Sequence, residues 1–440
     1  SSLLKLSSDI KKVVIGYDTR KLSNEISQKI KNFYSNKGIE VFLSDCPIPT
    51  PTVSFSVKNT NSDFGIVITA SHNSKIWNGI KIKNKYGQSI SEQQANKLTS
   101  IISREKIKSE EFQKFDSFSS DQSDSVDLIA DYIKSIKNIV DIEKIKNKKL
   151  NIVVDCMFGT SNSILKKLLH SKNCNVVEIN ASRDSSFPGI KQPEPIEENL
   201  SKLKLKVKEN NADIGFAFDA DSDRVGVIDN KSNYIDAPYT FCIIADHVFN
   251  NKKIVKNIST TVSMTSMIDS IAKKYGVNCF RTKVGFKYVA PNMEKNDSIL
   301  GGEESGGYSY SKHLLERDGI ISSMLILENL IDSKLNSSNF MNNLSIKYGN
   351  HFYKRSDIEL NENSVKKFSE FISKYDSEII LDKSIKFIDK KDGIKINFES
   401  NEWILIRLSG TEPLARIYAE SFDKKSVNNL ITSFLNYFNL

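Results

Sequence analysis

The chain has 440 residues, of which 39% are hydrophobic and 26% are charged, and its formal net charge is +8. This composition is typical of a soluble globular protein and excludes bulk disorder, and the length predicts three or four domains. The lysines are scattered, so the charge does not indicate nucleic-acid binding and suits a phosphorylated metabolite equally well. No apolar run predicts a membrane helix or a signal peptide. Five cysteines without C-x-x-C spacing indicate free thiols and a cytoplasmic protein.

The predicted elements alternate between strands and helices through most of the chain. The first domain contains the strands KVVIGYD, EVFLSD and FGIVITA, with the helix NEISQKIKNFYSNKG after the first strand. The second contains the strands LNIVVDCM, NVVEIN, ADIGFAFD and RVGVID, with the helices SILKKLLHSK and ENLSKLKLKVKENN. The third contains the helices PYTFCIIADHVF, MIDSIAKKYG and GIISSMLILENLI, with the strands KKIVKNIS and CFRTKVG. This order predicts parallel strands joined by helical crossovers.

The last part of the chain differs from this pattern. It combines the helix NSVKKFSEFISKY, the hairpin IKFIDKKDGIKINF with its DG turn, the strands EWILIRL and LARIYAES, and a closing helix VNNLITSFLNYF. These elements predict a small α+β domain. We therefore expect four domains, at residues 1–147, 148–238, 239–348 and 349–440.

Three aspartates, Asp219, Asp221 and Asp223, lie between two apolar strands in FAFDADSDRVGVID. In an extended chain alternate side chains point the same way, so the carboxylates are expected to converge. Like charges that close require a cation, and oxygen ligands of this kind suit Mg²⁺. An EF-hand loop would need glycine and glutamate where Arg224 and Asn230 stand. The remaining alternative is an acidic hairpin turn that faces water.

Two further segments suit a sugar phosphate. In GGEESGGY the glycines let the backbone approach a ligand closely, while Glu303 and Ser305 offer oxygens to hydroxyl groups. In RLSGTEPLARIY a phosphate would be surrounded by two arginines and two hydroxyls, those of Arg407, Ser409, Thr411 and Arg416. Each of the two segments, taken alone, is also consistent with a turn that joins two strands.

The segment TASHNSKIWNGIK places Ser71 directly after the strand FGIVI. The residues alone leave open whether Ser71 is a nucleophile or the N-cap of a helix. Neighbouring residues in a chain usually point apart, so Ser71 and His72 make a poor catalytic pair.

Together, TASHN, DADSDR, GGEESGG and RLSGTEP resemble the phosphoserine, metal, sugar and phosphate loops of the α-D-phosphohexomutase family, the phosphoglucomutases and phosphomannomutases. They occur in the family's order, one in each domain. The resemblance implies three successive α/β domains with mixed sheets and a C-terminal α+β domain, arranged around a central cleft.

The same resemblance implies an isomerase that interconverts the 1-phosphate and 6-phosphate of glucose or mannose through a phosphoserine and a 1,6-bisphosphate. The expected cofactors are Mg²⁺ and glucose 1,6-bisphosphate. The expected partner is a small hexose phosphate, with no nucleic acid and no membrane, and the expected assembly is a monomer or a dimer.

The resemblance also implies roles for single residues. Ser71 is expected to carry the phosphoryl group and to complete the Mg²⁺ shell with the three aspartates. Lys81 is expected to be the general acid and base, with a lowered pKa, and Arg20 is expected to face the phosphoserine. His72 becomes a loop or phosphate contact. The expected substrate contacts are Arg224, Lys287, Glu303, Ser305, His313, Arg407, Ser409, Gly410, Thr411 and Arg416.

Three alternatives stand against this interpretation. A phosphatase of the dehalogenase type needs Thr or Val where Asp223 stands. A phosphoglucosamine mutase usually has GEQSGH as its sugar loop, whereas this chain has GEESGG, with Gly307 in place of the histidine. A non-catalytic sugar-phosphate-binding relative would lack the nucleophile or the metal ligands, which are present. Only the lack of an FGTSGxRG-type segment before VVIGYD favours it.

Overall fold

The computed structural model describes residues 3–4, 9–104, 125–409 and 414–438. Within these ranges the chain forms four β-sheets that follow one another along the sequence. The first three are mixed sheets packed against helices, and the fourth is antiparallel. The predicted class of three α/β domains followed by an α+β domain is confirmed. The residues at which one domain passes into the next stay a prediction.

The first sheet has five strands, and its region comprises β1 Lys12–Tyr17, α1 Ser23–Ser35, β2 Glu40–Ser44, α2 Thr50–Asn59, β3 Phe64–Ile68, β4 Ile80–Asn84, α3 Glu92–Arg104, β5 Ser125–Val126 and α4 Leu128–Ile139. The strand order is β4-β3-β1-β2-β5. β1 pairs in parallel with β2 and β3, and β4 returns antiparallel to β3. The loop from β3 to β4 therefore lies at the carboxyl edge of the parallel strands, where ligands of α/β sheets bind.

The second sheet repeats this arrangement with α5 Ile142–Lys146, β6 Leu150–Asp155, α6 Ile164–Leu169, β7 Cys174–Ile179, α7 Ser201–Glu209, β8 Ile214–Phe218, β9 Val225–Asp229 and β10 Tyr234–Ile235. Its order is β10-β9-β8-β6-β7, with β6 parallel to β7 and β8. β9 turns back antiparallel to β8, so the aspartate segment between them also lies at a carboxyl edge.

The third sheet has four strands, and its region comprises α8 Ala237–Asn250, β11 Ile258–Thr261, α9 Met267–Lys274, β12 Cys279–Thr282, α10 Phe286–Lys295, β13 Leu300–Gly302, β14 Tyr308–Tyr310, α11 Gly319–Ser333 and α12 Phe340–Tyr348. Its order is β12-β11-β13-β14. β13 is parallel to β11 and pairs antiparallel with β14, so Glu303 begins a turn at the carboxyl end of β13.

The fourth sheet has six antiparallel strands, and its region comprises β15 Phe352–Glu359, α13 Glu362–Lys374, β16 Ile379–Ile380, β17 Lys383–Asp389, β18 Ile394–Phe398, β19 Trp403–Leu408, β20 Leu414–Ser421 and α14 Lys424–Tyr437. Its order is β15-β20-β19-β18-β17-β16. The predicted phosphate loop connects β19 to β20.

Several elements were absent from the sequence-based prediction, among them α2, β4, α10 and β15. α2 is buried on most of its surface, including its Ser and Thr side chains, so it lacks the apolar stripe that marks a surface helix. The predicted strand KKIVKNIS is wrong in its first six residues. The chain there folds back on the end of α8, where the Lys252 and Ile254 N–H groups donate to backbone carbonyls of that helix, and β11 begins only at Ile258.

One apolar core joins the second and third domains. Every residue of α8 except Asn250 is buried, and α8 packs against α9, α11 and β9. The fourth domain has a separate core between its sheet and the helices α13 and α14. The aspartate turn and the Glu303 turn are therefore attached to a single packed unit.

Phe241, on α8, lies within this shared core. It is fully buried, its ring stacks on that of Tyr308 at 5.5 Å, and a Cβ at Gly302 would lie 2.7 Å from the ring. We expect Phe241→Ala to destabilise the protein by about 3–5 kcal/mol because it opens a cavity beneath the Glu303 turn. Thermal unfolding measures this loss, with the exposed Phe387→Ala as the control. Equal melting temperatures for the two variants would contradict the shared core.

Candidate active site

The serine loop follows β3 and carries Ser71 in the left-handed conformation, with a φ of 51°. This conformation costs a residue other than glycine about 1 kcal/mol, so neighbouring bonds must hold it. The Ser71 N–H donates to Thr69 Oγ1 at 2.8 Å, and Ser71 Oγ donates to Asp219 Oδ2 at 2.8 Å. The loop leads into β4 and no helix begins at Ser71, so the helix-cap alternative is wrong.

Asp219, Asp221 and Asp223 lie in the turn between β8 and β9, and one oxygen of each lies within 4.8 Å of the others. They converge because the chain turns sharply, with Ser222 at a φ of 57°, and not because it is extended as the spacing suggested. All three are buried, which excludes a hairpin that faces water. Asp221 Oδ1 and Asp223 Oδ1 have no hydrogen-bond partner in the described part of the chain.

This donor set fits a hard divalent cation. Burial, together with the charges of Asp223 and Asp221, raises the pKa of Asp219 well above its usual value. Three buried carboxylates at this separation require positive charge nearby. Carboxylate oxygens are the ligands that Mg²⁺ and Ca²⁺ bind, and two carboxylate oxygens of this turn are still unpaired among the described residues.

Lys81 lies on β4 and supplies part of the positive charge. Its Nζ lies 2.6 Å from Asp221 Oδ2 and 2.8 Å from Asp223 Oδ2. Burial lowers the pKa of Lys81, but the carboxylates outweigh burial and raise it above its usual value. The expected lowered pKa is therefore wrong for this structure, because the lysine is the counter-ion of the aspartates. Its part in proton transfer stays a prediction.

Arg20 lies beneath the serine loop and binds its backbone. A guanidinium has five N–H groups, and its Nε donates to Asp18 Oδ2 at 3.1 Å. The other four N–H groups donate at 2.5–3.1 Å to carbonyls of the loop, those of Ser71, Asn73, Ser74 and Trp77. Arg20 was expected to face the phosphoserine, but in this structure all five of its side-chain N–H groups are already bound to the protein.

His72 is a half-buried neutral side chain beside Ser71. Burial, with a further contribution from Arg224, lowers the pKa of His72 to about 3. Its Nδ1 has no hydrogen-bond partner among the described residues. A neutral imidazole with an unused nitrogen suits the expected loop or phosphate contact better than the role of a base for Ser71.

Glu303 and Ser305 lie in the turn between β13 and β14, at the carboxyl end of β13. Glu303 is buried, and burial raises its pKa to about 7 although Arg317 opposes the rise. Ser305 is half-buried. Between them, Glu304 accepts a hydrogen bond from the Tyr418 hydroxyl at 3.3 Å, which connects this turn to the fourth domain.

Sequence analysis missed Arg317. Its Nη2 donates to Asp223 Oδ2 at 2.8 Å and its Nη1 to Glu303 Oε2 at 3.3 Å, so it joins the aspartate turn to the Glu303 turn. A Cβ at Gly307 would overlap Arg317 Cδ, which explains why glycine stands there. In the sequence, the available signal for Arg317 was its position directly before Asp318, the N-cap of α11.

Two predicted substrate contacts have protein partners in this structure. Arg224 Nη1 lies 2.9 Å from Glu194 Oε1, at a partly buried position near the aspartate turn. Lys287 is exposed at the start of α10, and its Nζ lies 2.9 Å from Glu92 Oε1. Their contact with a substrate stays a prediction.

The prediction that His313 contacts the substrate is wrong. The side chain is buried, and its ring stacks on Phe55 with centroids 5.8 Å apart. Its Nε2 lies 2.9 Å from Ser135 Oγ, and its Nδ1 lies 3.3 Å from Asp318 Oδ2. His313 therefore packs the first and third domains together.

The predicted phosphate loop is described in part. Arg407 Nη2 lies 3.0 Å from Asp392 Oδ2, and Arg416 Nε lies 3.7 Å from Asp357 Oδ2. The Ser409 N–H donates to the Leu414 carbonyl at 2.9 Å, which closes the base of the loop. Gly410 and Thr411 lie outside the described residues.

A buried serine beside a carboxylate cluster, with cations from the first and third domains, fits a site for phosphoryl transfer. Comparison with known proteins agrees with this class. The models of the phosphoglucomutase/phosphomannomutase α/β/α domains I, II and III match residues 2–109, 130–232 and 236–348, and that of the C-terminal domain matches residues 362–436. The chain therefore belongs to the phosphoglucomutase/phosphomannomutase family, within the α-D-phosphohexomutases.

Similar proteins extend over almost the whole chain. It is 34% identical to a phosphoglucomutase/phosphomannomutase of Thermococcus kodakarensis, over 93% of this chain and 86% of that protein. It is 32% identical to a phosphoglucosamine mutase of Methanococcus vannielii, over 99% of this chain and 93% of that protein. A crystal structure of a putative phosphomannomutase from Thermus thermophilus superposes with a TM-score of 0.84 at 25% identity, covering 100% of this chain and 93% of that one.

The chain is thus an enzyme, a phosphomutase that isomerises a hexose phosphate. Within its described residues no helix is long and apolar enough to cross a membrane.

We expect Arg317→Ala to lower kcat/KM about 100-fold, because it leaves Asp223 and Glu303 buried without their shared counter-charge. Arg317→Lys should lose less, since it retains one charge but not the fork that spans both carboxylates. Steady-state kinetics with a hexose 1-phosphate measures both variants. Lys256→Ala, which breaks the exposed pair with Asp297, is the control, and an Arg317→Ala variant as active as this control would contradict the assignment.

Proposed function

We propose that the enzyme interconverts the 1-phosphate and the 6-phosphate of glucose or mannose, with Ser71 as the carrier of the phosphoryl group. The observation that carries this proposal is the hydrogen bond from Ser71 Oγ to Asp219, inside a cluster of three buried carboxylates. The strained conformation of Ser71, which directs its hydroxyl at the carboxylate cluster, is explained if the serine has a function there. A phosphoserine at this position provides one, because its oxygens and the carboxylates would share a cation.

Mg²⁺ is the proposed cation, held by Asp219, Asp221 and Asp223 with an oxygen of phosphorylated Ser71. When bound, it would neutralise charge on the phosphoryl group during transfer. Lys81 and Arg317 then supply the remaining positive charge around the phosphoryl oxygens, and we propose that Lys81 also carries the proton to and from the sugar hydroxyl. Ser71 and the three aspartates are buried, which limits the access of water that would otherwise hydrolyse the phosphoserine.

The reaction is a transfer followed by its reverse at the other end of the sugar. Phosphorylated Ser71 gives its phosphoryl group to the free hydroxyl of a hexose monophosphate, whose proton is released. The resulting 1,6-bisphosphate reorients within the site. Its other phosphoryl group is then transferred to Ser71, while the sugar oxygen that loses this group takes up a proton. Glucose 1,6-bisphosphate would therefore also restore an enzyme that has lost its phosphate.

The sugar and the phosphate that does not react need separate contacts. We propose that Glu303 and Ser305 bind the sugar hydroxyls, because a buried carboxylate at the carboxyl end of a strand is a directional acceptor. His72 and Arg224 are proposed to contact the ligand beside the aspartate turn, and Lys287 to contact it from α10. The phosphate that does not react is proposed to be bound by Arg407, Ser409, Gly410, Thr411 and Arg416.

Glucosamine is the second candidate substrate. The similarity to phosphoglucosamine mutases covers as much of the chain as the similarity to the phosphoglucomutase/phosphomannomutase does. A sugar amine would also gain from the carboxylates of Glu303 and Glu304. Comparing kcat/KM for glucose 1-phosphate, mannose 1-phosphate and glucosamine 1-phosphate, with Mg²⁺ and the matching bisphosphate, ranks the three substrates.

The five cysteines are all unpaired, which supports the proposal that the enzyme works in the cytoplasm. A monomer or a dimer remains the predicted assembly.

We expect Ser71→Ala to lower kcat at least about 1000-fold, because it removes the oxygen that carries the phosphoryl group. Hexose phosphate binding, measured by calorimetry, should stay within a few-fold of the wild type. The exposed Ser100→Ala, on α3, is the matched control. A Ser71→Ala variant that retains most of its turnover would exclude the phosphoserine route.

A further inference from the structure

The serine loop is held from below by a single guanidinium. Four N–H donors of Arg20 bind carbonyls of residues 71–77, including the Ser71 carbonyl at 2.6 Å. The carbonyl of a residue in the left-handed conformation is turned away from its usual direction. The bond to Arg20 therefore stabilises the same conformation that directs Ser71 Oγ toward Asp219.

Arg20 is itself fixed before any ligand binds. Its Nε and its backbone N–H both donate to Asp18, at 3.1 and 2.9 Å. Asp18 also accepts hydrogen bonds from the hydroxyls of Thr69 and Ser23, at 2.7 and 3.0 Å. Both Arg20 and Asp18 are buried, so the guanidinium cannot rotate toward the cleft without breaking its five side-chain hydrogen bonds.

The second domain completes this arrangement with Phe187. Its ring lies over the Arg20 guanidinium, with 5.2 Å between the Cζ atom and the ring centroid, and the side chain is buried. Phe187 belongs to a turn in which its N–H donates to the Asp184 carbonyl at 3.1 Å. Ala220, between the metal-binding aspartates Asp219 and Asp221, belongs with Phe187 and Phe158 to one small apolar cluster.

One aromatic ring thus connects the two halves of the transfer site. It covers the cation that holds the serine loop, and it belongs to the same apolar cluster as Ala220 of the aspartate turn. A desolvated cation over an aromatic face is more strongly attracted than one in water. The two loops come from different domains, so their relative position depends on contacts of this kind.

We propose that Phe187 and Arg20 are positioning residues that set Ser71 against the aspartate turn, and that Arg20 gives none of its hydrogen bonds to the substrate. This inference rests on the proposed function for its kinetic part. It reverses the role that resemblance implied for Arg20. The phosphate at Ser71 is then contacted by other groups, Lys81 and Arg317 among them.

The test compares Phe187→Leu, which keeps an apolar side chain but removes the ring, with Phe187→Trp, which keeps an aromatic face. Phe33→Leu is the matched control, because the Phe33 ring contacts Lys37 at the same distance of 5.2 Å on the outer helix α1. Arg20→Lys keeps the charge but has three N–H donors in place of five. Kinetics with a hexose 1-phosphate, and hydrogen exchange of the peptide covering residues 69–79 in the purified protein, are measured for each.

We expect Phe187→Leu to lower kcat about tenfold with KM within about twofold, and to raise exchange in residues 69–79 about tenfold. Phe187→Trp should restore both values to within about threefold, and Phe33→Leu should match the wild type. Arg20→Lys should lower kcat more than Phe187→Leu and raise exchange in the same peptide. Unchanged kcat and exchange in Phe187→Leu would overturn the proposal, as would a rise in KM without a fall in kcat.

The exchange measurement needs no turnover. If the wild type shows no mutase activity, the proposed function fails, while the exchange of residues 69–79 still decides whether Phe187 and Arg20 hold the loop. If the wild type is active and exchange in Phe187→Leu equals that of Phe33→Leu, only the positioning proposal fails.

Discussion

Three buried carboxylates in one turn are the constraint on which the rest of the structure depends. Asp219, Asp221 and Asp223 cannot remain ionised and buried at this separation without positive charge close by. Two of the cations come from other domains, Lys81 from the first and Arg317 from the third. Neutralising the turn therefore requires that three domains meet at it, which places the serine loop and the Glu303 turn at the same point.

The next layer of the structure holds those two cations in place. Lys83, two residues from Lys81 on β4, is buried against Glu316, the neighbour of Arg317, with 2.7 Å between Nζ and Oε2. Ser89 donates to the same carboxylate through both its N–H and its hydroxyl, at 3.0 and 2.7 Å. Breaking a buried pair of this kind is costly, so the pair holds β4 and the segment before α11 together. The charged site thus has a rigid support in addition to the Arg20 and Phe187 contact.

The sequence predicted the order of most strands and helices because their apolar periodicity is local. It failed for α2, whose buried Ser and Thr residues hide the helical period, and for the first six residues of KKIVKNIS. The four candidate loops could be proposed from the sequence because each has an unusual local composition at the end of a strand. The roles of Arg20, His313 and Arg317 were not predictable, since each depends on partners from distant segments, such as the loop carbonyls that occupy Arg20. The raised pKa of Lys81 was missed for the same reason.

Transfer of the phosphoryl group through Ser71 can be tested with labelled substrate. The enzyme is mixed with hexose 1-phosphate carrying a radioactive phosphate, stopped within a few turnovers, and digested to isolate the peptide that contains Ser71. If Ser71 carries the phosphoryl group, close to one labelled phosphate per enzyme should be found on that serine, and a chase with unlabelled substrate should remove it. Turnover that continues while Ser71 stays unlabelled would contradict this role of Ser71.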